Sequence, residues 1–235
     1  MRNMEDFRSH DTWMVFKIMG EFVEGFETLR QIGPAISMFG SARMPRTHPF
    51  YKKGMKVAEL LSKEGFSIIS GGGPGLMEAA NRGARKGKGK SVGLNIRLPR
   101  AQKENPYSEV VLHFDYFFAR KVVFARYASG YIVLPGGYGT MDEFFEALTL
   151  IQTHKMTHFP IVLMGREYWH GMLQWLRTRG IKEGTISHHD LELFHLTDDP
   201  LEAVRIIVEN YKSRERLDTG GERENGAKVL AMKRR

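Results

Sequence analysis

Apolar positions fall along this chain in two alternating patterns. Short, nearly continuous apolar runs recur at Ala35–Phe39, Phe66–Ile69, Ser91–Ile96, Val110–Phe114, Tyr131–Leu134 and Pro160–Met164. Runs of this kind read as strands buried on both faces. Helical periodicity separates most of them, at Tyr51–Glu64, Pro74–Lys86, Phe117–Tyr127, Thr140–Thr153 and Glu167–Arg179, with a last helix at Pro200–Tyr211. Buried strands alternating with amphipathic helices predict an α/β fold: a single doubly wound, three-layer domain with a mostly parallel sheet. Upstream, Trp13, Phe16, Phe22, Phe26 and Leu29 are spaced as one broad stripe of a helix over about 11–31. The predicted organisation is an N-terminal helical extension (1–32), the α/β domain (33–213) and a basic tail (214–235).

Two glycine-rich turns interrupt these patterns, Ser70-Gly71-Gly72-Gly73-Pro74-Gly75 and Pro135-Gly136-Gly137-Tyr138-Gly139-Thr140. Each lies between a predicted strand and a predicted helix, which aims backbone N–H groups and a positive helix end at an anion. Gly40-Ser41-Ala42-Arg43 follows the first strand in the same way. In doubly wound sheets, ligands sit beyond the strand carboxyl ends, near the point where strand order reverses. The three loops are therefore expected to converge on one phosphate-bearing ligand.

The first turn reads G-x-G-x-G, with Leu76 where a dinucleotide fingerprint needs its third glycine, and no carboxylate follows Asn95 to hold a ribose. Gly89-Lys90-Ser91 lacks the earlier P-loop glycine (position 84 is Ala) and runs from helix into strand. Dinucleotide binding and ATP hydrolysis are both disfavoured. No metal site is expected, His188-His189-Asp190 reading as a polar loop.

The net charge of +8 suggests a polyanion partner until its distribution is considered. From Lys212 to Arg235 there are eight basic and four acidic residues, so half the excess lies in the tail. With Gly220, Gly221 and Gly226 and few large apolar residues, that tail is expected to be disordered, a solubilising appendage rather than a nucleic-acid binder. Arg82, Arg85, Lys86, Lys88 and Lys90 form a second cluster at a helix end, where cations suit the dipole. The chain has no cysteine, no long apolar run and a polar start at Met1–Asp11. A soluble cytoplasmic protein without a membrane partner is the expectation.

Two residues stand out for chemistry. Thr140-Met141-Asp142-Glu143 fits a capping box, in which Glu143 reaches back to its own helix start. Alternatively, Glu143 faces the phosphate loops as a carboxylate base or cation stabiliser. Arg120 has Phe117, Val123, Phe124 and Tyr127 on its own helix face. It is either a structural ion pair, a stem with its head in solvent, or a functional cation. Lys121 reads as a surface residue or a phosphate contact, Ser41 as a helix cap or ligand, and Arg43 as a solvated cation or ligand. Gln102, Asn105 and Tyr107 lie in a loop that is either a nucleobase pocket or plain surface.

The strings at 70–81, 117–121 (Phe-Phe-Ala-Arg-Lys) and 135–143 (Pro-Gly-Gly-Tyr-Gly-Thr-Met-Asp-Glu) resemble the LOG family of Rossmann-like nucleotide-binding proteins, long mislabelled as lysine decarboxylases. Phe39–Arg43 and Leu98-Pro99 with Asn105-Pro106-Tyr107 are similar to its bacterial branch. The likeness runs over about residues 33–165. It implies hydrolysis of the N-glycosidic bond of nucleoside 5′-monophosphates of the AMP or cytokinin class, giving free base and ribose 5-phosphate. It implies Arg120 and Glu143 as catalytic residues, and a 5′-phosphate held by the glycine turns. The substrate contacts it implies are Ser41, Arg43, Gly71, Gly72, Gly73, Gly75, Met77, Lys121, Gly136, Gly137, Tyr138, Gly139 and Thr140. It implies no cofactor, and a homodimer with the site near the interface. Ala101 departs from the glutamate frequent in related bacterial loops, which leaves base preference open. A pyridoxal-phosphate decarboxylase fits poorly, since no lysine stands out as a Schiff-base former. The alternative on this fold is a non-catalytic nucleotide sensor or molybdenum-cofactor carrier.

Overall fold

The computed structural model describes residues 11–99, 103–156 and 159–232. Seven strands, β1 (Ala35–Phe39), β2 (Ser67–Ser70), β3 (Ser91–Ile96), β4 (Val110–Phe114), β5 (Ala128–Val133), β6 (Ile161–Met164) and β7 (His195–Thr197), form one sheet in the order β4-β3-β2-β1-β5-β6-β7. Every pairing is parallel. The α/β doubly wound architecture read from the sequence is the one observed.

Alternate strand residues feed opposite cores, as the pleat requires. Ala35, Phe39, Ile69, Tyr131, Val133, Ile161 and Leu163 pack under α1 (Asp11–Leu29), α4 (Phe117–Tyr127), α5 (Tyr138–Gln152) and α6 (Arg166–Trp175). Ile36, Met38, Ile68, Ile132, Val162 and Met164 pack under α2 (Pro49–Lys63), α3 (Leu76–Ala84) and α7 (Pro200–Met232).

Several element bounds shift by one to three residues, and four differences from the sequence reading matter more. β7 is a strand that the pattern misses, because three residues starting at an exposed histidine give no periodicity. The helix expected over Glu167–Arg179 stops at Trp175 and continues as a π turn, Leu176–Gly180. Helix α5 starts at Tyr138, two residues before Thr140. Helix α7 carries on beyond Tyr211 to Met232, and its residue pattern does not account for this, since Gly220, Gly221 and Gly226 lie within it.

Strand order reverses between β1 and β5, and there the carboxyl-end loops are tied together. The Leu134 N–H donates to the Phe39 carbonyl at 2.8 Å and the Ser41 N–H to the Pro135 carbonyl at 3.0 Å. The Leu76 N–H at the start of α3 donates to the Ser41 carbonyl at 2.9 Å. The loop after β1 is thereby wedged between the two glycine turns.

Candidate active site

A cavity of about 740 Å³ opens at this switch point. Its polar side consists of Ser41, Arg43, Gly71, Gly137, Tyr138, Gly139 and Thr140, and its apolar side of Met38, Phe39, Met77, Ile96, Leu98, Phe117, Phe124 and Met141. Arg120 and Glu143 both line it.

The second glycine turn presents an open helix end to this cavity. Gly137 is the N-cap of α5 and makes no side-chain cap bond. A Cβ at Gly137 or Gly139 would meet nothing within 4 Å. Uncapped first-turn N–H groups, with the positive end of a 15-residue helix behind them, make an anion cradle. Gly136 lies off the cavity, where a Cβ would overlap the Thr140 hydroxyl.

The first turn is used differently. Only Gly71 reaches the cavity; Gly72, Gly73 and Gly75 do not line it. Gly75 (φ +69°) must lack a Cβ because the Ser41 carbonyl lies against it, and the α3 end it caps is filled by the β1 loop. Gly72 (φ +69°) lies against the Asn95 side chain. Two buried asparagines brace the turn further. Asn105 Nδ2 donates to the Gly73 carbonyl at 3.0 Å and to Asn81 Oδ1 at 2.9 Å, and the Asn105 N–H donates to the Gly72 carbonyl. Asn81 Nδ2 holds Ser91 Oγ and the Val92 carbonyl. The expected nucleobase loop is thus a brace at Asn105. Tyr107 lies under the Arg82 guanidinium, 5.6 Å from its centroid, and Gln102 and Ala101 fall outside the described residues. Gly72→Ala is expected to destabilise the protein by about 1–3 kcal/mol, from a left-handed backbone carrying a clashing methyl. Thermal unfolding measures this, and an unchanged midpoint would mean that the turn relaxes freely.

The capping box does not form. With Gly137 as N-cap, Thr140 is the third helical residue and Glu143 sits in the second turn, so its carboxylate does not reach back to the helix start. Glu143 is 3% exposed and makes no hydrogen bond or ion pair among the described residues. Burial raises its pKa from 4.5 to about 7, partly offset by Arg120. It is therefore about half ionised at neutral pH.

Arg120 makes no ion pair among the described residues, and it is half-buried with its head on the cavity wall. Its guanidinium packs over Phe117 and Phe124, at 5.3 and 5.6 Å, and its buried Nε has no hydrogen-bond partner. Burial lowers its pKa, and the Glu143 and Asp142 carboxylates oppose that. Such unsatisfied, buried polar atoms point to a missing partner. Lys121, next in sequence, is off the cavity and ties α4 to α5 through Asp142 at 2.7 Å and Glu146 at 3.5 Å. Ser41 accepts from the Arg43 N–H at 3.1 Å, a local turn that leaves both residues on the cavity rim. Among the described residues no group of histidines and carboxylates is placed to hold a metal, and no helix is long and apolar enough to cross a membrane.

A family model described as "Possible lysine decarboxylase" matches residues 77–207. The chain belongs to this family. Its curated relatives include a protein named "Probable cytokinin riboside 5′-monophosphate phosphoribohydrolase" from Oryza sativa subsp. japonica, 31% identical over 136 residues, which are 57% of this chain and 54% of the rice protein. A second, named as a cytokinin riboside 5′-monophosphate phosphoribohydrolase from Arabidopsis thaliana, is 27% identical over 68% of this chain and 75% of that protein. These are LOG proteins, so the resemblance read from the glycine strings holds. Among solved structures, the molybdenum cofactor binding protein from Rippkaea orientalis superposes with a TM-score of 0.55 at 20% identity, over 75% of this chain and 96% of its own. The molybdenum cofactor carrier protein from Chlamydomonas reinhardtii gives 0.52 at 18%, over 76% and 98%. Both share the fold. Among the described residues no lysine lines the cavity.

Proposed function

We propose that this protein hydrolyses the N-glycosidic bond of nucleoside 5′-monophosphates, giving free base and ribose 5-phosphate. The observation that carries the reading is Glu143. It is a buried carboxylate with a pKa near 7, without a hydrogen bond or ion pair among the described residues, in one cavity with an uncapped helix N-terminus and an arginine whose buried Nε has no partner among them.

In this reading the 5′-phosphate docks on the first turn of α5, with Ser41 and Arg43 on the rim, and the base lies against the apolar wall. Phosphate binding then holds the ribose for reaction at a distance from the bond that breaks. The C1′–N bond breaks with its electron pair leaving on the base, which takes a proton from solvent. Ionised Glu143 stabilises the oxocarbenium-like sugar and accepts a proton from the water that attacks C1′. Arg120 offers its free N–H groups to substrate oxygens or to the Glu143 carboxylate once a ligand orders the site. Metal and redox chemistry have no step in this scheme.

The test is incubation with AMP, GMP, CMP, UMP and a cytokinin nucleotide, reading released base by chromatography. Release from at least one, at equal yield of ribose 5-phosphate, is expected. Tight binding with no release from any would replace the hydrolase with a nucleotide carrier or sensor.

The same reading carries a homodimer. Phe117, Phe118 and Val122 on α4 and Phe145 on α5 are large apolar side chains left exposed on the two helices that bear Arg120 and Glu143. Sedimentation at micromolar concentration is expected to give twice the chain mass, and Phe118→Asp to shift it toward monomer. A monomeric wild type would exclude the dimer.

A further inference from the structure

The Arg120 guanidinium packs on two rings of its own helix, and among the described residues no carboxylate lies within ion-pair distance of it. Where Arg120 stands in the cavity is therefore where α4 stands.

Helix α4 does not cap itself. Its N-cap residue, Tyr116, makes no side-chain cap bond. The chain entering α4 is held from α1: Glu21 Oε1 accepts from the Asp115 N–H, two residues before the helix, at 2.6 Å, and the Asp115 and Tyr116 backbone opposes the rise that burial gives the Glu21 pKa. A carboxylate accepting from a backbone N–H makes a charge-assisted hydrogen bond, and this one fixes the chain just before the helix starts. Halfway along, Gly25 lets the helices meet, since a Cβ there would stand 3.0 Å from Val123 Cγ2. At the far end the Tyr127 hydroxyl donates to the Phe26 carbonyl at 2.9 Å, and the Arg126 guanidinium lies 5.1 Å from the Phe26 ring centroid. Helix α1 thus grips α4 at its start, its middle and its end.

We infer that α1 is a clamp that sets the position of Arg120 in the cavity, with Glu21 as its positioning residue. The catalytic side of this rests on the hydrolysis proposed above, and the mechanical side does not. Glu21 Oε2 is buried without a partner among the described residues, so the carboxylate is kept in place by what Oε1 holds.

The full-length protein, Glu21→Ala, Glu21→Gln and Tyr127→Phe are to be compared by hydrogen–deuterium exchange and by base release. Glu21→Ala is expected to speed exchange over 116–121 by about five- to tenfold, the size of one lost hydrogen bond. It should lower kcat more than it raises KM, with α5 exchange unchanged. Glu21→Gln, which keeps an acceptor oxygen, should recover most of both effects. Tyr127→Phe should loosen only the far end, at 124–127. Unchanged exchange over 116–127 in Glu21→Ala overturns the clamp. Faster exchange with unchanged kcat overturns its link to Arg120. Should the wild type release no base, the hydrolase reading fails on its own, and exchange still decides the clamp.

Discussion

Glu143→Gln is expected to lower base release by about 10²–10⁴-fold, the range of a lost general base, while leaving nucleotide binding nearly intact and making the protein more stable. The two effects have one cause. Burial holds the Glu143 pKa at about 7 against an ordinary 4.5. The native state therefore keeps the proton that the unfolded state releases between those values. On this group's account, stability is fully present below about pH 4.5, falls as pH rises to about 7, and stays reduced above that. The shift corresponds to about 3 kcal/mol at alkaline pH. Glutamine has the same shape without the charge, so the variant should unfold at higher temperature than the wild type at pH 8 and at a similar temperature at pH 4. Full activity in Glu143→Gln would remove the carboxylate from the chemistry. An unchanged or lower midpoint at pH 8 would mean that Glu143 is solvated after all.

The sheet was legible because its central strands are buried on both faces, which leaves runs such as Ile161–Met164 with no polar position to mislead. β7 escaped for the opposite reason, being short and partly exposed at the sheet edge. The cavity was only half legible. Glycines of the second turn are open to a ligand at 137 and 139, whereas those of the first serve neighbours, Gly75 the Ser41 carbonyl and Gly72 the Asn95 side chain. A sequence does not separate these cases, since both require only that a Cβ be absent. Glu143 was ambiguous because the capping-box spacing is real but the helix starts early, at Tyr138, and strands the pair inside it. The apolar wall was hidden in ordinary strand and loop residues such as Met38, Phe39, Ile96 and Leu98, which only the fold brings to one place. Phe117 and Phe124 were visible, at the spacing that puts them beside Arg120 on one helix face. The three-point grip of α1 on α4 left no pattern, because Glu21 acts across 94 residues of chain on a backbone group.

Arg120→Met tests whether the second residue acts through the first. Methionine keeps an apolar stem between Phe117 and Phe124 and removes a half-buried cation whose buried Nε bonds nothing among the described residues. Replacing a half-buried charge whose buried Nε is unsatisfied with a hydrophobe does not destabilise the fold by itself. The electrostatic consequence falls on Glu143, because Arg120 is the largest influence holding its pKa down against burial. Without that cation the pKa must move above about 7, so less of the carboxylate is ionised at neutral pH. Base release is expected to drop by about 10²–10³-fold at pH 7, from lost transition-state stabilisation together with lost base. The rising limb of the pH–rate profile, centred near 7 in the wild type, should move to higher pH, so that the deficit narrows as pH is raised toward 9. A limb left at the wild-type position would separate the two residues: Arg120 would then hold substrate alone, and the loss would be the same at every pH.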